Sequence, residues 1–269
     1  LNSRKKRALI ICTGWIGDTI ACTAAATSLS KKGYQTTLLT RWPQLKELLQ
    51  NDNRFNTKIY WHINFIKLFK PLLELYFDLV VWEPKKWSYQ EPFTCEIRRL
   101  SGCEPTPEYE LFLQPKSSTT HLETPRIRPV IALARDIYKR SYGRGIEDLV
   151  TMLSQFADIH WVGLSPTLDS KKGKGGSIVS DAHVIENSDV FMGPEGGLLW
   201  IAAGLGKRCI YFTEHFLEVQ KVNHTNNLEN ILGSKNHFPG NTKYVSLAPF
   251  CTNDEAINMC KSLIGASYP

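Results

Sequence analysis

The usual signatures of membrane insertion and of dinucleotide chemistry are missing from these 269 residues. No uninterrupted apolar run reaches the roughly 18 residues of a membrane-spanning helix, so no integral span is expected. The seven cysteines are scattered, odd in number and free of any C-x-x-C pair. Reduced thiols in a cytoplasmic protein are the simplest account. No G-x-G-x-x-G follows the first strand-like run, which argues against a nicotinamide or flavin site there. The stretch Lys171 to Gly176 has the composition of a P-loop but not the spacing G-x-x-x-x-G-K-[ST], and reads as a mobile loop. Internal repeats are absent. The basic start, Arg4-Lys-Lys-Arg7, is followed by an apolar stretch that holds Gly14, Gly17 and Asp18, so it does not read as a signal peptide.

What is present fits a globular protein with a substantial core: 42% hydrophobic and 22% charged residues. The length suits two ordinary domains or one large one. The net charge of +6 is unevenly placed. Residues 1–115 hold 16 Lys/Arg against 11 Asp/Glu, the remainder 16 against 15. Removing the Arg4–Arg7 cluster leaves the first half near neutral, so a general nucleic-acid footprint is weakly supported. The cluster reads as a solubilising start to the chain.

Taken in order, the pattern alternates strand and helix. Ala8 to Cys12 reads as a strand, residues 13–18 as a turn, Thr19 to Lys31 as a helix and Thr36 to Thr40 as a second strand. This β-α-β unit opens a parallel sheet, with its ligand end at the 13–18 turn. Pro43 to Leu49 reads as a short helix. Ile63 to Tyr76 is apolar with interspersed lysines. A membrane-surface helix fits that pattern, but a core-facing helix kinked at Pro71 is preferred. Phe77 to Trp82 follows as a strand and Pro92 to Leu100 as a helix. Pro105, Pro107, Pro115 and Ser117 to Thr120 mark a linker. Two domains are expected, residues 1–120 and 121–269. In the second, strands are expected at 129–134, 159–164, 190–193, 208–213 and 243–247. Helices are expected at 146–156, 182–188 and 254–263. The fold class is α/β, with two doubly wound domains facing across a cleft.

The most informative stretch is Asp189 to Leu205. A short buried strand runs into Gly193-Pro-Glu-Gly-Gly197, and a helix of small and apolar residues follows. Adjacent glycines let backbone amides approach a ligand, and a helix N-terminus favours an anion. Glu195 would repel phosphate but accept hydrogen bonds from sugar hydroxyls. The turn therefore suits a ligand that is part phosphate and part sugar. A structural turn with a solvated Glu fits the same residues.

Four pieces in this order resemble a known family. Gly17-Asp18 after the first strand looks like the Gly-Asp that opens the heptosyltransferases and their relatives, glycosyltransferase family nine. Phe77-Asp-Leu-Val-Val81 looks like that family's "Y-D-L-V-I" strand. Arg135-Asp136 with Lys139 looks like its phosphate-contacting loop. Gly193 to Ala203, with Gly206-Lys207, is similar to its "G-N-D-S-G-P-M-H-L-A-A-A-L-G-K-P" block. The match covers roughly residues 8–215. It departs in several places: Glu195 stands for the family's Asp, Gly196 for its Ser or Thr, Trp200 for its His, and Arg140-Ser141 replace a tryptophan.

The resemblance implies a GT-B architecture, with two Rossmann-like domains. The first would bind acceptor, the second a nucleotide-sugar, which is a co-substrate; no cofactor is implied. The implied chemistry is transfer of a sugar with inversion to a saccharide or glycolipid hydroxyl. Asp18 is then the candidate base, with Gly14, Trp15 and Gly17 beside it on the acceptor side. Arg135, Lys139 and Arg140 would meet the diphosphate, together with the amides of Gly196 and Gly197. Glu195 would hold the donor sugar. No D-x-D-like motif stands in a matching place, so no catalytic metal is expected. Asp18 has a second available role, capping the first helix, and Lys139 a second one as a solvated loop residue. Two other functions stay open: transfer to a modified base in viral DNA, and nucleotide-sugar binding without catalysis. A cytoplasmic protein, peripheral to a membrane if its acceptor is a lipid, is the expected setting.

Overall fold

A computed structural model describes residues 5–50, 52–60, 62–84, 91–113, 127–135, 146–163, 177–194, 196–212, 244–247 and 253–265. The chain divides into two compact units, one holding the described residues up to Leu113 and the other those from Ile127 onward.

The first unit is built on a parallel sheet of β1 (Arg7–Ile11), β2 (Gln35–Thr40), β3 (Phe55–Ile59) and β4 (Leu79–Trp82), in the order β3-β2-β1-β4. Its helices are α1 (Ile16–Lys31), α2 (Pro43–Leu49), α3 (Ile63–Leu68), α4 (Lys70–Tyr76) and α5 (Phe93–Leu100). β1 is the central strand, and Ala8, Leu9, Ile10 and Ile11 are all buried. A strand covered on both faces reads as a continuous apolar run. α1 is rich in small residues and is buried on nearly every side, from Thr19 to Thr27 without interruption. The buried guanidinium of Arg98 ties α5 to α1. Its Nε donates to Ser28 Oγ (3.0 Å), and Nη1 donates to Thr106 Oγ1 (2.7 Å).

Four features differ from the sequence reading, one of them in the second unit, where the helix expected at 182–188 runs Ile178–Glu186. α1 begins at Ile16, so Asp18 lies inside its first turn. β3 is an additional edge strand, its burial alternating along Phe55-Asn-Thr-Lys. The 63–76 segment is not a single helix kinked at Pro71, although one of its faces does pack on the core. It is two short helices meeting at Phe69, with Pro71 in the first turn of α4, where a missing N–H costs nothing. Ile66 is the single buried residue of α3, and α4 has none.

The second unit carries a parallel sheet of β5 (Val130–Ala134), β6 (Asp158–Val162), β7 (Val190–Pro194), β8 (Arg208–Phe212) and β9 (Tyr244–Leu247), ordered β6-β5-β7-β8-β9. Its helices are α6 (Ile146–Ser154), α7 (Ile178–Glu186), α8 (Gly197–Gly204) and α9 (Asn253–Gly265). Ile131, Leu133, Val190, Met192 and Ile210 of the sheet pack with Leu149 and Leu153 of α6 and Ile257, Cys260 and Ile264 of α9. α8 ends in a Schellman turn. Gly206, at φ 69°, donates to Ala203 O (3.0 Å), and Lys207 N donates to Ala202 O (3.0 Å). Glycine suits that left-handed position because it has no Cβ.

In each sheet the strand order reverses beside the first strand of its unit: between β1 and β4, and between β5 and β7. Parallel α/β sheets open their ligand crevices at the carboxyl ends of strands flanking such a reversal. The residues just after β1, β4, β5 and β7 are therefore where chemistry is sought.

Candidate functional site

In the first unit, the turns after β1 and β4 bring two carboxylates together. Asp18 is the third residue of α1, and its Oδ2 accepts from the amide of Trp15 at 2.7 Å. This satisfies one of the amides that a helix start leaves unpaired. Glu83 follows β4 directly. Its Oε2 accepts from the amides of Thr13 (2.6 Å) and Gly14 (2.8 Å), so the loop after β1 is folded around it. A methyl group on Gly14 would overlap both Glu83 Oε1 and Asp18 Oδ2. Glycine is thus required at 14 by the two acids, and they border one small volume.

Glu83 is 9% exposed. Burial pushes its pKa up to about 7; the neighbouring Asp18 charge adds to the rise, while the Gly14 and Thr13 amides and the Arg41 cation oppose it. Two carboxylates at one site cannot both ionise freely. The floor beneath them is Cys12 and Cys22, both fully buried, whose thiols burial pushes up. Among the described residues, Cys12 Sγ, Cys22 Sγ and a Glu83 carboxylate oxygen are grouped closely enough, within 4.8 Å of one another, to share a metal ion. Binding one would require displacing thiol protons that burial holds in place.

An aromatic platform adjoins the acids. Trp15, 71% exposed, stacks on Trp42 with ring centroids 5.8 Å apart and planes at 25°. Trp42 is pinned by its Nε1, which donates to Gly14 O (3.0 Å). The Arg41 guanidinium lies 4.7 Å from the Trp42 ring and 5.5 Å from that of Trp15. Tyr60, after β3, donates to Cys12 O (3.0 Å). All four strands thus end in side chains that build one face. Sequence reasoning named Gly14, Trp15, Gly17 and Asp18, and the structure brings them together, Gly17 buried in the first turn of α1. It missed Glu83, Arg41 and Trp42.

In the second unit, the described site residues are Arg135, Gly196 and Gly197; Lys139, Arg140 and Glu195 lie outside the described residues. Arg135 follows β5 and is half-buried, its guanidinium 5.7 Å from the Trp161 ring. Its charge also acts on Asp181 of α7, whose pKa is raised by burial and held back by a Gly163 amide and by Arg135. Gly196 precedes α8 in extended backbone and offers no side chain to cap it. The first intrahelical bond is Trp200 N to Gly196 O (3.2 Å). The preceding amides of this helix start are the ones that helix geometry leaves for an anion. A Cβ at Gly196 would meet nothing within 4 Å. Trp200, which stands where the family's block has His, is 3% exposed and belongs to the core. Lys207 donates to Ser188 O (3.2 Å), tying the end of α8 to the turn before β7.

Two parallel sheets, each with its candidate side chains at a strand-order reversal, define a pair of Rossmann-like units. The chain matches no protein-family model and no curated protein. Its fold is similar to several solved structures. Escherichia coli ADP-heptose lipopolysaccharide heptosyltransferase II is 10% identical, with a TM-score of 0.63 over 98% of this chain and 100% of that one. E. coli heptosyltransferase WaaC with ADP-2-deoxy-2-fluoro heptose is 11% identical, with a TM-score of 0.60 over 95% and 99%. A family 9 glycosyl transferase from Veillonella parvula is 10% identical, with a TM-score of 0.59 over 97% and 98%. The chain has the GT-B fold of these glycosyltransferases.

Proposed function

We propose that this protein is a glycosyltransferase that moves a sugar from a nucleotide-sugar donor to a hydroxyl of a saccharide or glycolipid. The observation that carries this reading is chemical complementarity at the two reversals. One holds a carboxylate pair beside an aromatic platform. The other holds an uncapped helix start with an arginine on the neighbouring strand end. The donor would bind the second unit. Its diphosphate would take the first amides of α8 and the charge of Arg135, with Lys139 and Arg140 added from the residues that follow. Glu195 would hold hydroxyls of the donor sugar. ADP-heptose is the first donor to test, since the similar WaaC structure was solved with ADP-2-deoxy-2-fluoro heptose.

The acceptor would lie against Trp15, with its hydroxyl directed to Asp18. In a single displacement the hydroxyl oxygen bonds to the anomeric carbon while the bond to the diphosphate breaks. The hydroxyl proton goes to Asp18, and the leaving charge is met by amides and cations. This step inverts the anomeric centre and routes nothing through a metal. Glu83 acts as a positioning residue, holding the Thr13 and Gly14 amides and setting the charge around Asp18.

The test is a panel of nucleotide-sugars, read for binding by calorimetry and for transfer or hydrolysis by release of nucleoside diphosphate. Binding with slow hydrolysis or transfer supports the proposal. Binding of a nucleotide-sugar with no turnover under any acceptor would leave a binding protein on the same fold. No binding of any member would remove the proposal.

A further inference from the structure

α3 and α4 show apolar residues on two faces, and the core uses one of them. Inward, Ile63, Ile66, Leu73 and Phe77 pack with Leu9, Ile11 and Val80 of the sheet. Outward, Phe65 (66%), Leu68 (74%), Phe69 (45%), Leu72 (58%), Leu75 (83%) and Tyr76 (57%) stand exposed. The second set stands outside the buried core. Keeping six large apolar side chains in water within twelve positions is unusual for a surface without a partner.

The charge around this face has one sign in excess. Lys67 and Lys70 rise from the helices themselves. Arg7 enters β1 alongside, its guanidinium 3.6 Å from the Tyr76 ring. The acidic groups facing the same region are Glu74, in a 3.6 Å pair with Lys70, and Asp78, whose Oδ2 accepts from the Arg7 amide at 2.6 Å. Three cations, Lys67, Lys70 and Arg7, therefore accompany two carboxylates. Arg7 also lines a concavity of ≈ 640 Å³ together with Phe69, Leu72, Leu73, Leu75 and Tyr76. An apolar hollow with one guanidinium on its wall fits an amphiphile with an anionic head and an aliphatic chain. Among the described residues no helix is long and apolar enough to cross a membrane, so the face would lie on a bilayer.

We propose that the outer face of α3–α4, with Arg7, docks this protein on the surface of an anionic lipid bilayer. Leu68, Leu72 and Leu75 enter the acyl boundary while Lys67, Lys70 and Arg7 meet lipid phosphates. Apolar burial and cationic attraction act together in such interfacial helices. The inference does not depend on sugar transfer, and its test uses no enzymatic readout.

The experiment is co-sedimentation of the chain with vesicles of phosphatidylcholine alone, and of phosphatidylcholine with phosphatidylglycerol. The comparison variant is Leu68→Asp combined with Leu75→Asp; both sites are exposed, so its melting temperature should match the parent's. The parent should sediment with the anionic vesicles, lose most binding in high salt, and bind neutral vesicles at least tenfold less. The double variant should lose at least tenfold on anionic vesicles. Failure to bind anionic vesicles, equal binding to neutral ones, or unchanged binding by the double variant would overturn the proposal. So would a dimer, formed without lipid, that the double variant dissolves, since it would assign the face to a second copy of the chain.

Discussion

Asp18 and Glu83 meet over Gly14, where an oxygen of each carboxylate borders the space a methyl group on that glycine would fill. Neither carboxylate can withdraw freely, although in Glu83 it is the other oxygen that is anchored. Asp18 Oδ2 holds the Trp15 amide, and Glu83 Oε2 holds two others. Gly14→Ala is therefore expected to cost about 1–3 kcal/mol of stability, as overpacking usually does. It should also abolish turnover by spreading the acids. Thermal melting and an activity assay on this variant check both outcomes.

A second expectation concerns pH. Glu83 has a folded pKa of about 7, above the ordinary carboxyl value of 4.5. The folded chain thus binds its proton more tightly than the unfolded chain. The resulting stability is complete below pH 4.5 and is lost as pH rises through 7. Each tenfold difference in proton affinity is worth about 1.4 kcal/mol. Glu83→Gln keeps an acceptor for the Thr13 and Gly14 amides but cannot titrate. Between pH 5 and 8, denaturant unfolding should show the parent losing stability relative to the variant; parallel curves would contradict the assignment.

The start of α8 offers a cleaner probe than most glycine sites. Gly196 is in extended backbone with open space at its Cβ position. Alanine there should leave the melting temperature nearly unchanged. If a diphosphate settles on the adjoining amides, the added methyl should weaken nucleoside diphosphate binding several-fold. Arg135→Ala should weaken it about tenfold or more, in line with the loss of a charge-assisted contact. Calorimetric titration with ADP separates the two effects.

Trp15 is mostly exposed, so its removal should cost little stability. Trp15→Ala is expected to raise the acceptor KM several-fold while leaving donor affinity intact, because stacking on an aromatic face is worth roughly 0.5–1.5 kcal/mol. An unchanged acceptor KM would detach the Trp15–Trp42 platform from substrate binding.

Much of this was legible in the residues. The apolar runs at 8–12, 129–134 and 190–193 are buried on both faces, and such strands announce themselves without needing partners. β3 was not legible because its five residues alternate, as Phe55-Asn-Thr-Lys-Ile59 does, and so short an alternation at a sheet edge carries little signal. The start of α1 was placed three residues late because Gly17 reads as a turn; it is instead a buried first-turn residue that lets the helix sit close. Glu83 could have been found by the reasoning that found Asp18, since it too follows a strand end. What hid it was strand order: nothing local says that β4 lies beside β1. For α3–α4, composition shows that the segment is amphiphilic but not which apolar side chains face inward. That depends on the break at Phe69 and on the sheet beneath.

The proposed role of Asp18 as base is the centre of the proposed mechanism. Asparagine at 18 can still accept from the Trp15 amide, so the first turn of α1 should hold and the melting temperature should change little. It cannot take a proton. The decisive measurement is turnover of Asp18→Asn, with donor affinity as control. The account predicts a fall of roughly 10²–10⁴-fold in kcat, with donor affinity unchanged because the proposed donor contacts all lie in the second unit. Near-normal turnover in a stably folded Asp18→Asn protein would contradict it and leave Asp18 as a helix-capping residue alone.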